Sequence, residues 1–389
     1  MPEAAKGLAR VRQVLQDRFA GIKNLKAQGK KTVGYFCSYA PLEILTALDV
    51  AHFRITGDLE EPVTAVEKIL PASFCPFMRS CIDSVFKGKY DFLDGMVGVH
   101  SCDAQEKSIH VWKSRKDYEY YHYLDMPATT HSWGMAMLRK SLDKFKASAE
   151  AWMGREISDR ELKAAIEKHN QLRALVRELY NLKLVSPPPF SGAETLQTMI
   201  ALASIILEQG LELLAEVLRE VKAREGQWPN QGKKRILVYG ACLDALPLIK
   251  LIEDYDAEVV MDDHCMGSRT YFRDVPLTED PMDGLTQRYA HLTCARTFRE
   301  AVVGELKKDH QADLEARFAH LGKYIKKWDV EGVVIQLVRF CDPFGYEVPE
   351  LKDYLGSLKA PTIYMEMEYN SGSLAPLKTR VQTFLENLL

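Results

Sequence analysis

In ISDRELKAAIEKHNQLRALVRELYNLKL (157–184), Leu162, Ile166, His169, Leu172, Val176 and Leu179 recur at steps of three and four. That spacing lines one face of an α-helix. Ser158 and Glu161, just ahead of it, have the spacing of a capping box. His169 falls on the apolar stripe and reads as a packed core histidine. Residues 7–29 show helical spacing that ends at a glycine, and residues 192–225 form a second long helical stretch. Between the two later stretches, SPPPFSG (186–192) breaks the pattern, because proline removes backbone donors and fixes φ.

On either side of this helical middle the pattern changes to short β-rich runs. KTVGYF (31–36) is followed by APLEILTALDV (40–50), a helix with Pro41 in its first turn. FCPFMRSCIDSVFKG (74–88) reads as loop then helix, and residues 95–100 as a strand running into Cys102. Beyond a linker, GQWPNQGKK (226–234), RILVYGA, AEVVMDD, EGVVIQLVRF and APTIYMEME are strand-like, with helical stretches among them. The expected architecture is α/β: two doubly wound parallel-sheet domains around a helical segment. The expected boundaries are 1–134, 135–228 and 229–389.

Composition narrows the function. A net charge of −3 argues against a nucleic-acid partner. The longest apolar run, residues 199–207, is too short to span a bilayer. The opening MPEAAKGLARVRQ is charged and lacks an apolar segment, as expected of a cytoplasmic chain. Eight cysteines then read as reduced thiols suited to metal binding or catalysis. GKK (232–234) is not a phosphate-binding loop, since Lys234 replaces the required Ser or Thr and a strand follows it. YGACLDALP lacks the glycine series of a dinucleotide site.

Three cysteines stand at informative junctions. Cys75 precedes a predicted helix, while Cys102 and Cys341 follow predicted strands. Ligands of open α/β sheets collect outside the carboxyl ends of the strands, so these thiols are candidates to converge in the cleft between domains. Helix N-termini there would favour thiolates, the ligands of iron–sulfur clusters. Against this, most cysteines are small buried hydrophobes, and the spacings fit no local zinc motif. Cys81, Cys242, Cys265 and Cys294 are left structural or unassigned.

GYFCSYAPLEILTALDVAHFRITGD, LPASFCPFMRS, GMVGVHSCDAQEK and RFCDPFGYEVPELKDYL, taken in order, resemble the 2-hydroxyacyl-CoA dehydratase and benzoyl-CoA reductase family. With Asp49 where many dehydratases have glycine, the chain is most similar to the smaller substrate-handling subunits of the ATP-dependent, ring-reducing branch. The resemblance implies two Rossmann-like domains, a helical portion, and a [4Fe–4S] cluster in the cleft held by Cys75, Cys102 and Cys341. Some relatives carry a double cubane, which needs more thiolates; Cys37 and Cys81 are the extras nearest Cys75. The implied partners are a larger homologous subunit, two ATPase-type iron–sulfur subunits, and reduced ferredoxin as electron source. The implied reaction is two-electron reduction of an aromatic acyl-CoA ring. The alternatives are a 2-hydroxyacyl-CoA dehydratase subunit, or a non-catalytic electron-transfer subunit or double-cubane reductase.

Ser38 and Tyr39 follow the first strand, and their hydroxyls are candidates to bond the thioester oxygen. Tyr39, Phe53 and Phe74 flank the motifs and would build a flat apolar slot. Arg54, Arg79 and the basic residues of 113–116 are candidates for CoA phosphates.

Overall fold

The computed structural model describes residues 7–224, 226, 232–241, 244, 246–297 and 310–388. Most of the 226–234 linker and Cys242 lie outside them. Along the chain come α1 (Gly7–Gln16), α2 (Ala20–Ala27), β1 (Thr32–Tyr35), α3 (Leu42–Ala47), β2 (Ala51–Arg54), α4 (Pro76–Phe86), β3 (Gly95–Val99), α5 (Asp103–Lys113) and β4 (Tyr120–Leu124). Four long helices follow: α6 (Ser132–Met153), α7 (Asp159–Asn181), α8 (Gly192–Leu202) and α9 (Leu207–Lys222). The remainder is β5 (Lys234–Gly240), α10 (Leu246–Glu253), β6 (Ala257–Asp263), α11 (Ser268–Tyr271), α12 (Pro281–Ala290), α13 (His310–Lys327), β7 (Gly332–Val338), α14 (Asp342–Ser357), β8 (Thr362–Met367) and α15 (Lys378–Glu386).

The strands form two four-stranded sheets, all parallel, in the orders β2-β1-β3-β4 and β6-β5-β7-β8. Each order runs outward in both directions from its first strand. Each sheet therefore has a switch point, between β1 and β3 and between β5 and β7, where a crevice opens at the carboxyl ends. The inner strands are buried on both faces, as parallel sheets require.

The two strands not anticipated, β2 and β4, are the edges of the first sheet. AHFR is four residues long, and YYHYL is only partly buried along its middle; neither has the apolar run that marks a central strand. The capping box of α7 forms as expected, with Ser158 Oγ accepting from Glu161 N and the Glu161 carboxylate accepting from Ser158 N. The stretch 7–29 divides into α1 and α2, and 192–225 divides into α8 and α9. Gly7 lets α1 lie on α9: a Cβ there would come within 2.5 Å of Val217 N.

One buried network ties the halves together. Glu43 of α3, fully buried, pairs with Arg173 of α7 and accepts from Tyr289 Oη of α12 at 2.7 Å. Arg288 Nε of α12 lies 3.8 Å from it. Burial alone would raise the Glu43 carboxyl; Arg173, then His169 and Arg288, hold it well below the usual carboxylate range instead. Removing one partner of such a pair strands the others in a medium that cannot solvate them. Glu43→Leu is therefore expected to cost about 3–5 kcal/mol, read as a lower urea midpoint. A loss under about 1 kcal/mol, the range of a surface pair, would contradict the network's role.

Candidate metal centre

One cavity of about 100 Å³ collects Cys37, Cys75, Cys102, Cys265, Cys294 and Cys341. None of the six is in a disulfide. Cys37 lies just past β1, Cys102 past β3, Cys265 past β6 and Cys341 past β7, so both switch points open onto the same space. Phe36, Phe77, Met78, Val338 and Phe344 supply much of the remaining wall, which keeps it apolar.

Cys75, Cys102 and Cys341 are the N-cap residues of α4, α5 and α14. Cys102 Sγ accepts from Gln105 N at 3.4 Å, and backbone N–H groups of Phe77, Met78 and Phe344 favour the thiolates of Cys75 and Cys341. Pro76 begins α4 without removing a needed donor. Phe340 takes φ +59°, a left-handed turn unusual for a bulky residue, immediately before Cys341. Three helix N-termini thus point positive partial charge at one cavity.

Burial dominates the thiol electrostatics. Cys37, Cys75 and Cys341 are pushed above the ordinary thiol range by desolvation, and Cys102 and Cys294 up to about 12. Repulsion among the sulfurs adds to this. Cys75, Cys102 and Cys265 raise Cys341, Cys75 and Cys37 raise Cys102, and Cys265 and Cys37 raise Cys294, so the repulsion runs through the whole set. Cys75, Cys102 and Cys341 form an outer trio of helix caps; the other three, the buried Cys265 and Cys294 and the half-buried Cys37, form an inner trio.

Arginines surround the inner trio. Arg269 donates to Cys265 Sγ at 3.4 Å while pairing with Asp263, and Arg54 Nη1 donates to the Cys265 carbonyl at 2.8 Å. Arg296 lines the same cavity and donates to the carbonyls of His100, Met126 and Pro127. Among the described residues, the one trio of metal-binding side chains with donor atoms within 4.8 Å of one another is His100, Asp103 and Glu106, beside Cys102. The thiols are spread wider. Ligands of a single zinc, at about 2.3 Å from it, would sit roughly 3.8 Å apart. Soft thiol donors spread wider than this would suit a polynuclear group better than a single ion.

The candidates from sequence fare unevenly. The cavity brings Cys75, Cys102 and Cys341 together with Cys37. Cys81 is buried in the core of the first sheet and does not line it. Cys265 and Cys294, left unassigned, do. Cys265 follows β6 as Cys37 follows β1, a signal present in the sequence; Cys294 sits in a loop after α12 and had none. Tyr39 is buried, with its hydroxyl 2.8 Å from Thr297 Oγ1. Ser38 Oγ is 3.1 Å from the Cys265 carbonyl and 2.7 Å from Thr270 Oγ1, and it lines a second, smaller chamber of about 50 Å³. That chamber shares Cys37 and Arg54 with the thiol cavity. No slot forms from Tyr39, Phe53 and Phe74, because Tyr39 belongs to a different packed cluster from the two phenylalanines. Arg54 is buried instead of facing a phosphate, and Lys116 pairs with Asp91.

The family model for the 2-hydroxyglutaryl-CoA dehydratase D-component matches residues 37–388. The chain belongs to this family. It is 26% identical to the C subunit of the benzoyl-CoA reductase of Thauera aromatica, over 92% of this chain and 91% of that one. Identity to the (R)-phenyllactyl-CoA dehydratase beta subunit of Clostridium sporogenes is 22%, over 94% of both. For the beta subunit of the lactoyl-CoA dehydratase of Anaerotignum propionicum it is 23%, over 98% of both. These relatives of the D-component family are subunits of a reductase and of dehydratases. No helix among the described residues is long and apolar enough to cross a membrane.

A thiol reacts as its thiolate, so the raised Cys102 predicts a pH signature in the metal-free chain. Peptide-mapped alkylation of Cys102 should keep rising about tenfold per pH unit beyond pH 9, where an ordinary cysteine levels off. A plateau near pH 9 would contradict the desolvated site.

Proposed function

We propose that this chain is an iron–sulfur component of a low-potential reductase, its six cavity thiols holding two cubanes joined through sulfide. The observation that carries the reading is the six-thiol cavity itself, with thiols supplied from both sheets. A single cubane with an open iron needs only the outer trio; a double cubane also takes up Cys37, Cys265 and Cys294, which line the same cavity. When bound, such a group accepts and passes on low-potential electrons. The chain's own part is to hold it by thiolates, offset its charge with Arg54, Arg269 and Arg296, and exclude water with the apolar wall. Electrons come from a separate ATP-hydrolysing iron–sulfur partner, and the complex includes a homologous subunit.

Reduction of an aromatic acyl-CoA ring is the second reading, favoured by the likeness to the reductase of Thauera aromatica along nearly the whole chain. Against it stands the side chamber: a benzene-sized ligand fills a cavity of about 150 Å³, and this one offers about 50 Å³.

Anaerobic purification of Cys265→Ser and Cys294→Ser tests the cluster assignment. Each is expected to lose about half or more of the iron and acid-labile sulfide, as are Cys75→Ser, Cys102→Ser and Cys341→Ser. Full iron in the two inner variants would reduce the site to a single cubane. With benzoyl-CoA supplied to the complete complex, electron use in step with ring reduction would promote the second reading. Conversion of a 2-hydroxyacyl-CoA without net electron use would overturn the reductase assignment.

A further inference from the structure

The chamber beside the thiol cavity holds two imidazoles, His52 from β2 and His169 from α7. Thr46, near the end of α3, stands between them. Its Oγ1 is 2.9 Å from His169 Nε2 and 3.4 Å from His52 Nε2. A hydroxyl has one proton to give. It also accepts up to two hydrogen bonds. The geometry lets Thr46 donate to one Nε2 while accepting from the other, and in that arrangement one imidazole carries its proton on Nε2 and the other on Nδ1. The result is a continuous hydrogen-bonded line with a donor at one end and an acceptor at the other.

The two ends differ in surroundings. His52 is half-buried, and the charges it feels beyond Glu43 are the outlying Glu208 and Lys30. His169 is buried and feels Glu43, Arg173, Arg288 and His52. Burial pushes His52 down to about 4 and His169 to about 3, with Glu43 opposing in both. Both rings are then neutral at pH 7, each with one proton to pass on. The chamber meets the thiol cavity at Cys37 and Arg54.

We infer that His52, Thr46 and His169 form a proton relay, delivering a solvent proton to a molecule reduced beside the thiol cavity. The inference rests on the reductase reading above. His169 Nδ1–H goes to the substrate, the Thr46 proton to His169 Nε2, the His52 Nε2 proton to Thr46, and a solvent proton to His52 Nδ1. The chamber's size suits a substrate of a few non-hydrogen atoms. Hydroxylamine is the probe. Its N–O bond breaks as two electrons from the reduced iron–sulfur partner and two protons convert it to ammonia and water, and the relay supplies one of those protons.

Thr46→Val keeps the shape and removes the hydroxyl; Thr46→Ser restores it. In the loaded complex at pH 7, Thr46→Val should slow hydroxylamine reduction roughly ten- to hundredfold, at unchanged iron content and with a larger solvent deuterium effect. Thr46→Ser should recover most of the rate. Wild-type rate in Thr46→Val, or no hydroxylamine reduction by the wild-type complex, would overturn the relay. The iron-free chain gives a separate reading. Nitrogen NMR of labelled histidine should find one ring protonated at Nδ1 and its neighbour at Nε2, an arrangement lost in Thr46→Val. Two identical tautomers would overturn the relay whatever the iron content, whereas absence of iron from the wild type would defeat only the reductase reading.

Discussion

Six thiols in one dry cavity are the constraint on which the rest of this structure depends. Each is costly to ionise away from water, and in the folded chain desolvation raises those of Cys102 and Cys294 to about 12. The fold answers with fixed positive charge. Helix N-termini reach the outer trio, and buried guanidinium groups reach the inner one. On the proposed reading, a metal group displaces the protons that burial would otherwise keep on the thiols.

Topology makes the convergence possible. Two parallel sheets, each with a switch point, open their carboxyl ends onto a common space. The halves are held in register by the charge network of Glu43, Arg173 and Arg288, which draws on a helix from each half and one from the helical middle. The same network walls the side chamber, so the device that fixes the seam also shapes the space next to the thiols. Neutral His52 and His169 in that wall have a consequence for stability. Their folded values lie below the ordinary imidazole range, so the unfolded chain takes up protons first on acidification. Their contribution is whole above about pH 6.5 and is lost as pH falls towards 4 and 3.

Much of this architecture was legible in the sequence. Central strands such as EGVVIQLVRF announce themselves because both faces are buried, and the Ser158–Glu161 cap marks α7. The edge strands β2 and β4 were not, since half-exposed YYHYL carries no sustained apolar pattern. The outer trio was readable because each of its cysteines sits at a helix or strand junction. Cys294 was not, because only the chain's return past α12 brings it to the cavity. Tyr39 shows the opposite failure: its place in the motif suggests a free hydroxyl, but the hydroxyl is taken up by Thr297, a residue distant in sequence. Side-chain partners brought together by tertiary packing leave no local trace.

The central claim is that both trios hold one group. The most direct measurement is a crystal structure of the anaerobically purified protein, with iron located by its anomalous scattering. The account predicts continuous iron density bridging Cys75, Cys102 and Cys341 on one side and Cys37, Cys265 and Cys294 on the other. A single compact iron site at the outer trio, with the inner sulfurs bound to nothing, would contradict it.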